Sequence, residues 1–179
     1  MRHSFHAMSF SALMLFGNLE AARAAPRQLL NKTITFSFTN HQTLREASGR
    51  TFQSQPSFNY IDYVSNAGRI FQRSSRSSGG QSRSGDKSPD VARKGGGEVH
   101  TNRFTGDKLV IMNSYPEGAI RMVVSFDATF STCTVEVMLA KEGGGYIKRR
   151  GLDGIIREIV TYNITDKTCA IREGNQFAN

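Results

Sequence analysis

The sequence has no Trp, only two Cys and four Pro, and no apolar run of about 20 residues, the length that a helix needs to cross a bilayer. These absences exclude a disulfide-rich scaffold, a zinc site built on four Cys, and a collagen-like or proline-rich chain. Hydrophobic residues still make up 38% of the 179 residues, which is enough for one packed core. We therefore expect a single domain over residues 25–179, and the alternation described below predicts that it is β-rich.

The local signatures of common enzyme classes are also missing. The chain contains no Gly-x-Ser-x-Gly elbow, no phosphate-binding Gly-x-x-x-x-Gly-Lys loop and no His-Glu-x-x-His pair. His41 and His100 are too far apart in sequence to predict a metal site. Asp127, Glu136 and Glu158 lie in or near predicted strands, but nothing in the sequence distinguishes a general acid from a general base. We predict no catalytic, cofactor-binding or metal-binding residue.

The first 24 residues have the pattern of an export signal. Arg2 provides a basic start, residues 7–16 are mostly apolar and uncharged, and residues 22–24 read Ala-Arg-Ala. Small residues at those positions predict cleavage after Ala24. An ordinary N-terminal helix is the alternative, but Gly17 and Pro26 would interrupt it.

Cys133 and Cys169 are expected to form one disulfide, because two cysteines in an exported chain most simply pair with each other. The chain has no Cys-x-x-Cys motif, which is the spacing that would favour a reactive dithiol instead. In both surrounding strings, 132–135 and 168–171, the sulfur shares a face with an aliphatic side chain. This pattern predicts a buried bridge between two strands or two facing sheets.

Period-two alternation of apolar and polar residues dominates the chain. The clearest case is 33–39, where Ile34, Phe36 and Phe38 share one face and hydroxyl groups occupy the other. Roughly eight to ten short strands predict an all-β fold, an antiparallel barrel or sandwich. The predicted strands are 33–39, 60–64, 69–73, 98–104, 108–113, 119–126, 133–140, 155–164 and 168–172. A short helix from Asp153 is the alternative for 155–164, but the β-branched residues there favour a strand.

Residues 74–97 are rich in Ser and Gly and interrupt this alternation, so we predict a flexible basic loop there. The formal net charge of the chain is +8, and much of the excess lies in and beside the loop. We interpret these basic residues as a contact for a polyanion of the cell envelope, a lipid or polysaccharide, which Lys148, Arg149 and Arg150 could extend. The alternative is a solvated loop without a partner. The candidate contact residues are Arg69, Arg73, Arg76, Arg83, Lys87, Arg93 and Lys94.

Three functional hypotheses follow. The first is an exported, non-enzymatic binding module for an anionic envelope component; nucleic acid is disfavoured because the basic segment has no stacking aromatic beyond Phe71. The second is a small-molecule carrier, in which Tyr60, Tyr63 and Phe71, with Phe36 and Phe38, line a barrel mouth instead of filling the core. The third is a glycan hydrolase with two converging carboxylates.

Overall fold

The computed structural model describes residues 24–87, 91–94, 98–115, 118–140 and 147–178. The fold is nearly all β and antiparallel, as predicted. Short 3₁₀ turns lie at Arg27–Leu29 and Gln176–Ala178. The strands are β1 (Lys32–Arg45), β2 (Thr51–Ser54), β3 (Ser57–Val64), β4 (Ile70–Ser78), β5 (Gln81–Lys87), β6 (Val91–Lys94), β7 (Glu98–Thr105), β8 (Lys108–Tyr115), β9 (Gly118–Phe126), β10 (Cys133–Ala140), β11 (Ile147–Arg150) and β12 (Ile156–Glu173).

The strands form two sheets. The larger is a curled half-barrel in the order β11-β12-β1-β3-β4-β5, with β2 paired to the far end of β1. The smaller has the order β10-β9-β8-β7-β6. One buried cluster takes side chains from both sheets, among them Phe36 of β1 and Met122 of β9. The core therefore lies between the sheets.

Strand β1 is the central element of the half-barrel. Ile34, Phe36 and Phe38 are buried on its inner face, which confirms the predicted alternation. The strand continues beyond the predicted end because Asn40 and Gln42 also face inward and bond to each other, Asn40 Nδ2 donating to Gln42 Oε1 at 2.8 Å. Sequence alternation missed this half because two successive inward positions, Asn40 and Gln42, are polar before the apolar Leu44.

The disulfide joins the two sheets, as predicted. Cys133 begins β10 at the edge of the smaller sheet, and Cys169 lies in β12 of the half-barrel, with their Cα atoms 5.5 Å apart. The bridge was predicted to be buried, but both residues are only half-buried, and they pack against the core cluster. The bridge therefore links elements that no backbone hydrogen-bond ladder connects.

The prediction of a loop over 74–97 was wrong for most of the segment. Residues 74–78 complete β4, residues 81–87 form β5, and residues 91–94 form β6, while 88–90 and 95–97 lie outside the described residues. Gly79 and Gly80 both have positive φ, 55° and 77°, as a two-residue hairpin of type I′ requires. Pairing of β4 with β3 satisfies the backbone of a Ser-rich strand that has little apolar surface to bury.

The two strands predicted at 155–164 and 168–172 are one strand, β12. The pairing of β12 with β1 shifts register between Ser37 and Thr39, and Asp166 at the shift has a positive φ of 50°. This irregularity is a β-bulge, which interrupts alternation without ending the strand. The hairpin glycines Gly68 and Gly106 also have positive φ, 75° and 62°, which glycine adopts without steric cost.

The export signal at 1–24 lies almost entirely outside the described residues, and so does the glycine run at 143–145. Within the described part of the chain, no helix is long and apolar enough to pass through a bilayer.

Candidate functional site

The half-barrel curls until strands from opposite sides of its sheet touch. In the sheet order β12, β1 and β3 separate β11 from β4, yet Arg76 Nη1 of β4 donates to the Arg150 carbonyl of β11 at 3.3 Å. Two residues after Arg76, the Ser78 hydroxyl of β4 lies 3.4 Å from the Ser54 hydroxyl of β2. These contacts close one end of the half-barrel through side chains.

The closure places two arginines on one aromatic ring. The Arg76 guanidinium carbon lies 5.7 Å from the centroid of the Phe58 ring, and that of Arg149 lies 4.9 Å from the same centroid. Both distances are in the range of cation–π attraction. Phe58 is itself fixed, because it is buried and stacks on Phe38 with centroids 4.9 Å apart.

Strand register adds two pairs of like charges. Arg76 lies directly opposite Arg83 in the β4–β5 ladder, and Arg149 lies directly opposite Arg157 in the β11–β12 ladder. Residues opposite each other in an antiparallel ladder share a face, and like charges there repel.

Two carboxylates bind Arg157. The Arg157 guanidinium is 3.1 Å from Glu46 Oε1 and 2.7 Å from Asp153 Oδ2. The backbone N–H of Ile155, followed by Arg157, lowers the pKa of Asp153 below its ordinary value. Glu46 also binds Arg50 at 3.3 Å. The acids at this end of the sheet are thus already engaged by Arg157 and Arg50.

We call Arg76, Arg83, Arg149 and Arg150 the arginine cluster. The Arg150 side chain folds onto the adjoining turn and donates from Nη1 to the Gly154 carbonyl at 2.7 Å. Arg83 is exposed on β5. The cluster thus combines residues of β4 and β5 with Arg149 and Arg150 of β11, although these segments are far apart in the sequence. Lys148 instead lies with its Nζ 3.9 Å from Glu158 Oε1.

Arg69 and Arg73 do not join this cluster. Arg73 lies on the outer face of β4, where Nε donates to Asp86 Oδ1 at 2.8 Å and Nη1 donates to the Phe177 carbonyl at 3.0 Å. The Arg73 hydrogen bond lowers the pKa of Asp86. Arg69 lies over the Phe71 ring at 5.8 Å. Arg73 therefore has structural partners.

The remaining three candidates lie further along the chain. Lys87 is the last residue of β5, and Arg93 and Lys94 belong to β6 of the smaller sheet. Alternation along the strands and the change of sheet thus divide the charged segment that looked continuous in sequence.

The candidate carboxylates occupy separate places. Glu158 of the half-barrel accepts two hydrogen bonds from Arg45, at 2.9 Å and 2.7 Å. Glu136 is exposed on β10 of the smaller sheet. Asp127 lies in the turn before β10 and accepts from Thr129, Ser131 and Thr132. No observation on these three residues favours a pair of catalytic carboxylates.

Asp127 has a structural function in that turn. Hydrogen bonds from the Thr129 hydroxyl, then the Ser131 hydroxyl and the Thr132 backbone N–H, hold the pKa of Asp127 far below its usual range. The same turn places the ring centroid of Phe130 5.5 Å from that of Phe126, at the edge of the core. The carboxylate therefore organises the connection between β9 and β10.

We expect Asp127→Asn to lower the urea midpoint at pH 7, because the amide carries no charge to attract these donors. A depressed folded-state pKa gives stability that is complete above the unfolded pKa of about 3.9 and is lost as pH falls below it. The difference between parent and variant should therefore shrink below pH 4. Asp107→Asn in the β7–β8 turn is the control, and a constant difference from pH 7 to pH 2.5 would contradict this role.

The two histidines lie on different sheets. His100 is buried in β7, and its Nδ1 lies 2.6 Å from Asn113 Oδ1 of β8, whereas His41 is half-buried on β1 of the half-barrel. Among the described residues, no group of three or more His, Cys, Asp or Glu side chains is placed to hold a metal ion.

The predicted aromatic cluster is divided between two faces. Phe36 and Tyr60 are buried and stack with centroids 4.8 Å apart, so they belong to the core. Tyr63 and Phe71 stack on the opposite side of the sheet, where Tyr63 also meets Phe177. The rings therefore do not line a common mouth.

The sequence did not reveal Phe58 as a site residue. Its role depends on β4 extending as far as Arg76 and on the curl that brings β11 to the same ring. The Gly-Gly pair at 79–80 was the one available signal for the hairpin, since this dipeptide favours a two-residue turn.

No protein-family model, no curated protein and no solved structure matches this chain.

Proposed function

We propose that the protein is an exported, non-enzymatic binding protein that holds an anionic polymer or surface of the cell envelope at the arginine cluster. The observation that carries this proposal is the convergence of the Arg76 and Arg149 guanidinium groups on the Phe58 ring, with Arg83 directly opposite Arg76 in the neighbouring strand. Guanidinium groups gathered in this way create a positive potential that attracts a ligand of opposite charge.

The arrangement is suited to oxygen anions. Guanidinium groups present planar sets of N–H donors that match carboxylate, sulfate and phosphate oxygens. Arg76 is held by Phe58 and by the Arg150 carbonyl, so part of its side-chain entropy is lost before any ligand arrives. Preorganisation of this kind strengthens binding without additional contacts.

Two further features support export. The signal-like pattern at 1–24 predicts it directly. The Cys133–Cys169 bridge agrees with it, because disulfides persist in oxidising compartments outside the cytoplasm. The chemistry of the envelope, which is rich in anionic lipids and acidic polysaccharides, then supplies the class of ligand.

The test measures retention on immobilised heparin across a salt series. It uses the protein as purified from the cells that produce it, with its disulfide intact. The triple variant Arg83→Gln, Arg149→Gln, Arg150→Gln should bind on the order of tenfold more weakly, since three exposed ion pairs at roughly 0.2–1 kcal/mol each are removed and about 1.4 kcal/mol corresponds to tenfold. Heparin should also raise the melting temperature of the parent more than that of the variant.

The matched control removes the same charge elsewhere. Arg103 and Arg121 lie on the smaller sheet, and Arg172 lies near the other end of β12. The variant Arg103→Gln, Arg121→Gln, Arg172→Gln should elute close to the parent. Equal losses in both triple variants would mean that only net charge matters, and the proposed site would be rejected.

The carrier and hydrolase hypotheses lack a comparable observation. The inner aromatic rings stack on one another, and the candidate carboxylates are engaged or isolated. We therefore propose neither.

A further inference from the structure

Two adjacent isoleucines are exposed beside the arginine cluster. Ile155 is 49% exposed and Ile156 is 43% exposed. Among the described residues, the other exposed large hydrophobic side chains are Met138 on β10 and Tyr162 on β12, each without such a neighbour. Single exposed apolar residues are common on protein surfaces, but two adjacent ones beside arginines are less common.

The turn that presents them is internally fixed. The Gly151 N–H donates to the Ile155 carbonyl at 2.8 Å, and the Ile155 N–H donates to Asp153 Oδ1 at 3.0 Å. A Cβ on Gly151 would meet the Asp153 carboxylate and the Arg157 guanidinium, so a side chain there would displace the ends of these two side chains. The exposure of Ile155 is therefore a property of an ordered turn.

Arginines flank the pair on both faces of the β11–β12 hairpin. Arg150 lies directly opposite Ile156 in the ladder, and the opposed residues Arg149 and Arg157 lie on the other face. The Arg150 guanidinium reaches the Gly154 carbonyl, immediately before Ile155. Cationic and apolar groups are thus neighbours along one turn.

This combination matches the chemistry of an anionic bilayer. The headgroup layer offers phosphate oxygens to guanidinium groups, and the acyl chains beneath it offer an apolar environment to short side chains. An acidic polysaccharide offers anions but no apolar layer for the isoleucines. The exposed pair therefore favours lipid over polysaccharide.

We propose that the β11–β12 turn docks on an anionic lipid surface, with Ile155 and Ile156 entering the headgroup boundary and the arginine cluster binding lipid phosphates. This inference rests on the proposed function and specifies its partner. It concerns the two isoleucines, which the polyanion hypothesis does not require.

The absence of Trp allows a direct test, because Ile155→Trp introduces the only indole in the chain. Phosphatidylglycerol vesicles should shift the emission of this variant to the blue, and lipids brominated on their acyl chains should quench it. Vesicles of phosphatidylcholine alone should do neither. Met138→Trp, exposed to a similar degree on the other sheet, is the control and should not respond.

A second variant separates insertion from charge. Ile155→Ser, Ile156→Ser should bind phosphatidylglycerol vesicles about tenfold or more weakly, because it removes the apolar surface that enters the bilayer. Its retention on heparin should equal that of the parent, since every arginine remains.

The outcomes distinguish the two proposals. Unchanged vesicle binding by the double Ser variant, or indole emission from the Ile155→Trp variant that does not respond, would overturn the lipid inference even if heparin retention depends on the cluster. Strong heparin retention without vesicle binding would overturn it too and identify a polysaccharide-type partner instead. Parent-like binding to both probes by the Arg83, Arg149, Arg150 triple variant would overturn the proposed function itself.

Discussion

Replacing both Cys133 and Cys169 by Ser should lower the free energy of unfolding by about 4 kcal/mol. The cysteines are 36 residues apart in sequence, so the bridge restricts a loop of that length in the unfolded chain. The bridge also fastens β10 of one sheet to β12 of the other, where no backbone ladder holds them. Urea unfolding followed by far-UV circular dichroism measures the difference.

Reduction of the parent provides the control for this prediction. Under dithiothreitol the parent should approach the stability of the double variant, and the variant should not change. A loss below about 1 kcal/mol would show that packing between the sheets suffices without the bridge, contrary to the chain-entropy account.

Phe58→Ala should destabilise the protein by roughly 3–5 kcal/mol and also weaken heparin retention. The ring is 3% exposed and stacks on Phe38, so its removal leaves a cavity in the inner face of the half-barrel. The same change removes the surface on which Arg76 and Arg149 lie. Two guanidinium groups then lose their common support.

Phe58→Leu separates these two effects. Leucine restores much of the buried apolar volume, so we expect a smaller loss of stability, about 1–1.5 kcal/mol. It offers no π face, and heparin should therefore release this variant at lower salt than the parent. Parent-like elution of the Leu variant would mean that the ring does not position the arginines.

The success of prediction from sequence varied with the residue types facing inward. Strand β10 was predicted with its observed bounds, and the inner face of β1 was predicted as far as Phe38, because apolar residues alternate there. Beyond Phe38 the inward positions Asn40 and Gln42 are polar and form a hydrogen bond with each other, and only Leu44 resumes the apolar alternation. A pattern based on hydrophobicity cannot detect that bond.

The prediction failed at the Ser-rich hairpin for a related reason. Composition alone indicates that residues 74–87 cannot form a core, and this is correct for an isolated segment. In the folded protein β4 pairs with β3, which is anchored in the core, and β5 pairs with β4 in turn. Backbone hydrogen bonds to an existing sheet need no apolar side chains from the added strands.

The sequence by itself determined the β-rich class, the pairing of the two cysteines and the basic character of two separate segments. Each follows from local periodicity, from composition or from there being only one possible pair. Only the tertiary structure decided that Arg76 and Arg149 share the Phe58 ring while Arg73 faces away from it. The reason is that strand register and sheet curl fix which side chains share a face, and both depend on contacts between residues distant in the chain.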